Sequence, residues 1–193
     1  PYETDGVVIR VDSLLDFDSL GSTSHHPRGA IAYKYAAEQA TTALLAVEIQ
    51  VGKTGQLTPV AHLAPVRLAG TTDSRASLHN FQEVARKDIR VGDSVIVEKA
   101  GEIIPYVVQV VAETRTGDEQ PVVPPISCPA CESAVRQSDD EVAIYCSNAE
   151  CPEILRGVLR HFASRRALDI EGLGHKLIDQ LVLADLVQGI PDL

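Results

Sequence analysis

The chain's four cysteines are spaced Cys128-x2-Cys131-x14-Cys146-x4-Cys151. Two short-spaced pairs, each on its own knuckle, can converge on one ion, and thiolates are the ligands a closed Zn²⁺ site prefers. The rival reading is two disulfides. A chain of 193 residues with 45% hydrophobic side chains has enough apolar material for a core without covalent staples, and no signal-like stretch precedes the cysteines. Zinc is therefore the preferred reading. Four thiolates leave the ion no open position, so its expected role is structural.

A second set of residues suits phosphate. Gly172-Leu173-Gly174 lies between two segments of helical period. Two glycines let backbone approach a phosphate, and the helix N-terminus that follows offers free N–H groups and positive dipole. Such a site grips nucleic-acid backbone without reading bases. An ordinary interhelical turn is the competing reading. Arg156 and Arg160 share one helical face, by default a solvated one. Val51-Gly52-Lys53-Thr54-Gly55 and Glu98-Lys99-Ala100-Gly101-Glu102-Ile103-Ile104-Pro105 each set a lysine near glycine at a strand end, as hairpins do and as backbone-tracking loops do. Lys34, in Ala30-Ile31-Ala32-Tyr33-Lys34-Tyr35, is either an edge lysine or a cation facing an anion pocket.

The elements that must position these residues follow from periodicity. Residues 6–12 and 30–35 read as short strands, with 13–29 as loop. Between Thr41 and Ala112 the pattern alternates. Candidate strands are 44–51, 57–63, 75–78, 94–99 and 103–111, with a helix at 81–87. Five strands and one helix suggest a small Greek-key barrel of OB type, with an SH3-like barrel as the alternative. The expected division is 1–40, strands closing a larger domain; 41–115, the barrel; 116–126, a proline-containing linker; 127–152, the cysteine knuckle; and 153–193, helices flanking the Gly-x-Gly turn. The fold class expected is multidomain, β-rich and then α.

The net charge of −10 argues against a nucleic-acid partner for the chain as a whole. The acid excess lies largely at the ends of the chain and around Asp139, Asp140 and Glu141, however, while residues 41–112 carry seven charges of each sign. Local positive faces remain available, and binding through them should depend steeply on salt. Phe81 and Tyr106 are the barrel segment's only aromatics, which favours contact with duplex backbone over single-strand stacking. No apolar run approaches the ~18 residues of a membrane span, so a soluble, cytoplasmic protein is expected. The chain starts at Pro1 and has neither Met nor Trp, and it reads as a piece of a longer protein. The six histidines lack ligand spacing to the cysteines and are assigned no catalytic role.

These segments, in this order, resemble the bacterial NAD-dependent DNA ligases. Asp5-Gly-Val-Val-Ile-Arg-Val resembles the fourth nucleotidyltransferase motif and Ala-Ile-Ala-Tyr-Lys34-Tyr the fifth. Val-Gly-Lys-Thr-Gly and Arg-Lys-Asp-Ile-Arg-Val-Gly-Asp resemble the OB domain, and the four-cysteine knuckle and the helix-hairpin-helix Gly-Leu-Gly follow. The resemblance implies nick sealing in replication and repair, through lysyl-AMP and DNA-adenylate, with NAD⁺ as AMP donor and Mg²⁺ or Mn²⁺ assisting. It implies that Lys34 contacts the α-phosphate, with Asp5 and Arg10 lining the same adenylate pocket. Lys53, Thr54, Lys99, Ile103 and Ile104 would meet nicked duplex DNA, helped by Arg156, Arg160, Gly172 and Gly174. A monomer associated with the nucleoid is expected.

The family's pattern has lysine at Arg10 and arginine at Lys53. Both substitutions keep the charge and change the hydrogen-bond geometry. Its nucleophilic lysine stands in Lys-x-Asp-Gly. Here the one Asp-Gly is Asp5-Gly6, with Glu3 two residues before it, so the nucleophile is expected upstream of Pro1 and the fragment alone is expected to be inactive. The alternatives are a non-enzymatic OB-fold and zinc-finger module for nucleic acid, or a scaffold. A module that only binds has no need of the motifs around Asp5 and Lys34.

Overall fold

A computed structural model describes Thr4 and residues 6–99, 104–137 and 141–193. Asp5 and Ile103 lie outside the described residues. The elements in chain order are β1 (Gly6–Arg10), α1 (Leu14–Leu20), β2 (Ala30–Lys34), β3 (Glu38–Val51), β4 (Gln56–Leu68), β5 (Thr71–Ser77), α2 (Phe81–Arg86), β6 (Arg90–Val91), β7 (Ser94–Lys99), β8 (Tyr106–Val110), β9 (Gln120–Pro121), β10 (Val135–Arg136), β11 (Ile144–Cys146), α3 (Pro152–Ala163) and α4 (His175–Leu183).

Strands β3, β4, β5, β7 and β8 close on themselves. β4 pairs with both β3 and β5, β3 with β7, β7 with β8, and β8 returns to β5 through a short parallel pairing, Ser77↔Tyr106. This is the OB barrel, with α2 between its third and fourth strands. Alternation along β4 and β7 turns Ala61, Leu63, Val95 and Val97 inward, and Leu44, Leu68, Leu78, Val84 and Val107 fill the rest of the interior. β3, β4 and β5 start earlier or run longer than the sequence periodicity, because alternation fades where a face meets solvent, while β7 keeps its expected bounds and β8 covers only 106–110 of the expected 103–111. β4 continues to Leu68 past Pro65, which falls where the pairing with β5 shifts register between His62 and Val66. A residue without an N–H is tolerated at such an irregularity.

The segment 13–29, expected to be loop, contains α1. Ser13 caps it, accepting from the Asp16 amide at 3.3 Å, and Phe17 lies over Gly29. The helix has no buried residue, and its seven positions are too few to show a period.

The proline-containing segment after the barrel is tied down. The Arg115 guanidinium donates to both carboxylate oxygens of buried Asp93, at 2.7 and 2.9 Å, and β9 pairs with β6. Beyond it, β10 and β11 form the cysteine knuckle, and β11 adds to the edge of β4 through Ile144↔Leu57 and Tyr145↔Gln56. Barrel and knuckle thus share one sheet. A second apolar cluster joins Leu57 and Phe81 to Cys128, Ile144, Cys146 and Cys151, and a third unites α3 with α4 around Leu159, Ala163, Ile178 and Val187. No helix among the described residues is long and apolar enough to cross a membrane.

Candidate functional site

The four cysteine sulfurs lie within 4.8 Å of one another, with Cys131 and Cys146 at 3.5 Å and Cys128 and Cys151 at 3.9 Å. Zn–S bonds of about 2.3 Å would set tetrahedral sulfurs about 3.8 Å apart. The same distances are far too long for a disulfide, whose sulfurs sit about 2.05 Å apart. The donor set therefore fits Zn²⁺, and the disulfide reading falls. Burial pushes the Cys146 thiol up to about 12 and the Cys151 thiol upward in the absence of an ion. A dication is what lets such crowded thiols deprotonate together. Among the described residues these cysteines are the one cluster of three or more metal-ligating side chains.

The β1–β2 ribbon carries the two segments that resemble nucleotidyltransferase motifs. Its register pairs Gly6 with Lys34 and Arg10 with Ala30. Paired residues share a face and alternate positions share it too, so Gly6, Val8, Arg10, Ala30, Ala32 and Lys34 line one side. Lys34 and Arg10 are the two cations of that face, at opposite ends of it, about 13 Å apart by strand rise. The other side, Val7, Ile9, Ile31 and Tyr33, is apolar and exposed. Gly6 escapes a motif search based on charge, yet a Cβ there would lie 2.3 Å from the Tyr33 carbonyl oxygen and 2.9 Å from the Lys34 Cα. Only glycine lets the strands approach this closely beside Lys34.

Lys53 and Thr54 form the exposed tip of the β3–β4 hairpin. The Gly52 amide donates to the Gln56 carbonyl, and Gly55 takes φ +83°, a value that favours glycine. Ile104 stands 72% exposed on the same barrel.

Lys99 is placed differently. Its side chain is 8% exposed, and Nζ donates to Thr71 Oγ1 at 2.5 Å and Asp73 Oδ2 at 3.0 Å. Its charge is neutralised within the barrel wall. Burial works to raise the Asp73 pKa, but hydrogen bonds from Thr71 and Lys99, with the lysine's charge, hold it below the usual carboxylate range.

Arg156 and Arg160 are not a free solvated stripe. Asp179 of α4 accepts from Arg160, and Glu153 accepts from Arg156. The Gly172-Leu173-Gly174 turn is open: a Cβ at either glycine would meet nothing within 4 Å. Gly172 takes φ +82°, and Gly174 is the N-cap of α4, with no side chain satisfying the helix's first amides. Leu173 anchors the turn in the α3–α4 cluster.

The structure brings together the cysteines, and the Lys53 hairpin with α3, and sets the two ribbon cations on one face without bringing them together. Gly157, which periodicity does not single out, makes the last contact possible: a Cβ there would lie 2.8 Å from the Lys53 Cα.

An adenylation-type ribbon, an OB barrel and a four-cysteine knuckle in this order define a chain of the nucleotidyltransferase–OB class. Residues 1–38 match the NAD-dependent DNA ligase adenylation domain, 41–119 the NAD-dependent DNA ligase OB-fold domain and 127–152 the NAD-dependent DNA ligase C4 zinc finger domain. The chain belongs to the NAD-dependent DNA ligase family. Proteins named DNA ligase from Thermotoga neapolitana and Desulfosudis oleivorans are 57% and 52% identical to it over 194 residues, covering 100% of this chain. One from Bacillus velezensis is 52% identical over 193 residues. The chain spans only 28% to 29% of the length of these relatives.

Proposed function

We propose that the chain is the part of an NAD⁺-dependent DNA ligase that completes the adenylate pocket and clamps nicked duplex DNA. The observation that carries this reading is the β1–β2 register, which sets Lys34 and Arg10 on one face of an otherwise apolar ribbon. A module that only binds nucleic acid has no use for that pair.

In the proposed reaction, a lysine outside this chain attacks NAD⁺ and takes the AMP, releasing nicotinamide mononucleotide. The AMP passes to the 5′-phosphate of the nick. The 3′-hydroxyl oxygen then attacks that phosphorus, the bond to AMP breaks, and the strand is sealed. Lys34 holds the α-phosphate and offsets the charge that grows on its oxygens, while Arg10 and Asp5 line the pocket. A divalent cation, Mg²⁺ or Mn²⁺, would lower the phosphate charge further.

On the DNA side, Lys53, Thr54, Ile103 and Ile104 approach the nick. The open Gly172 and Gly174 backbone receives a phosphate, and Arg156 and Arg160 flank it. Lys99 serves by supporting the barrel wall. The zinc is structural. The protein works as a monomer at the bacterial nucleoid, in replication and repair.

Two measurements test this. Purified, zinc-loaded chain is titrated with labelled nicked duplex across a salt series, with intact duplex and single strand as competitors. Duplex preference with a steep salt slope supports the clamp. No duplex binding at low salt counts against it. The chain is also incubated with NAD⁺ labelled in the adenylate. No trapped label is expected, and label on the chain would sink the assignment of the nucleophile to another segment.

A further inference from the structure

The Lys53 hairpin is held from two sides, and both holders hang from zinc ligands. On one side β11 ends at Cys146, whose amide donates to the Gly55 carbonyl at 2.8 Å, and Tyr145 pairs with Gln56. On the other, α3 starts from Cys151, its N-cap, whose carbonyl accepts from the Leu155 amide at 3.0 Å. The next turns of α3 carry Ile154, whose Cδ1 would lie 3.0 Å from a Cβ on Gly55, and Gly157, which rests on the Lys53 backbone.

A Cβ on Gly157 would come within 2.8 Å of the Lys53 Cα, 2.9 Å of its Cβ and 3.0 Å of its amide nitrogen. The obstacle is backbone, which cannot swing aside as a side-chain tip can. In a helix interior alanine is the better helix former, so helix propensity does not call for glycine here. Close approach does.

We propose that Gly157 is a positioning residue for Lys53, and that the zinc knuckle sets the place of the barrel's Lys53–Thr54 tip through the paired grip of β11 and α3. The zinc ion thereby controls a contact made by the barrel, in addition to holding the knuckle itself. The inference rests on the reading of Lys53 as a DNA contact only for its consequence on binding. The mechanical coupling stands independently.

The test has two arms on the zinc-loaded chain. Amide hydrogen exchange at residues 52–56 is read by mass spectrometry in wild type, in Gly157→Ala and in wild type stripped of zinc by a chelator. Exchange there should rise about tenfold or more in both altered forms, while β7 in the barrel core stays protected. Unchanged exchange at 52–56 in both forms overturns the proposal, and the zinc-stripped arm keeps it testable if Gly157→Ala fails to fold. The second arm is duplex affinity against salt for Lys53→Ala, Gly157→Ala and the double variant. Each single variant should flatten the slope by about 0.9, the value for one phosphate contact. The double variant should be no worse than Lys53→Ala. Additive losses would mean that Gly157 acts elsewhere. A loosened hairpin with no effect of Lys53→Ala on binding would refute the DNA role of Lys53 and leave the coupling intact.

Discussion

Asp179 Oδ1 lies 2.5 Å from Arg160 Nη2 and 3.7 Å from Arg156 Nε, so one carboxylate on α4 engages both arginines of α3. The Nε atoms of both arginines are buried without a hydrogen-bond partner among the described residues. These two cations are therefore matched to Asp179 and, through Arg156, to Glu153.

A phosphate arriving at this face must compete with Asp179. Asp179→Asn is predicted to tighten duplex binding and steepen its salt slope. The pair is part-exposed, so the carboxylate's hold amounts to about 1 kcal/mol, or about fivefold in affinity. Titration of the variant against duplex at several salt concentrations checks this. A fall in affinity together with a lower melting temperature would instead mark Asp179 as a fastener between α3 and α4.

The part-buried pair of Lys99 and Asp73 gives a prediction of opposite sense. Lys99→Met leaves the Asp73 carboxylate beside an apolar chain and should cost about 3 kcal/mol of stability. It should not change the salt slope of duplex binding, because the amine is already neutralised inside the wall. Denaturant melts and a salt series on the same preparation separate the two effects. The pH dependence follows from the sign of the shift. The Asp73 pKa is lower folded than unfolded, so the pair's contribution is complete above the ordinary aspartate range and is lost as pH falls through the depressed folded value. Asp73→Asn should therefore remove part of the acid sensitivity of the melting temperature.

Zinc removal should unravel the knuckle and spare the barrel core. The inward residues Leu44, Ala61, Val95, Val97 and Val107 form a cluster separate from the one that contains the cysteines. Chelation or Cys146→Ser is expected to abolish amide protection over 141–151, since a structural zinc contributes of order 10 kcal/mol to its knuckle. The β-sheet circular dichroism should persist. Concerted loss of both would show that the barrel cannot fold without the ion.

Gly6→Ala should act on Lys34 alone. The added Cβ strikes the Tyr33 carbonyl and the Lys34 Cα, forcing β2 outward. In a polypeptide that carries the nucleophilic lysine, adenylyl transfer from NAD⁺ should fall about 10²-fold, the cost of misplacing a catalytic group by about an ångström. Duplex affinity should be unchanged. Single-turnover adenylylation and DNA titration, run side by side, decide it.

Spacing and alternation by themselves determined the zinc ligands, the five barrel strands, α2, α3 and the place of the Gly172-Leu173-Gly174 turn between two helices. Each is written locally: cysteine spacing within a knuckle, period two in a strand and period 3.6 in a helix. Helix α1 was illegible because seven residues, all but Phe17 exposed, leave no periodic trace. What each charge does was decided by tertiary structure alone. Lys53 and Lys99 look alike in sequence, each near a glycine at a strand end, yet one stands in solvent and the other lies against Asp73, 26 residues away. Arg156 and Arg160 look like a free basic stripe until α4 folds back and brings Asp179 to them. Gly157 carries no charge and no period, and only the docking of α3 on the β3–β4 hairpin gives it a part. Contacts between residues distant in the chain set burial, partner and approach distance, and no local pattern encodes them.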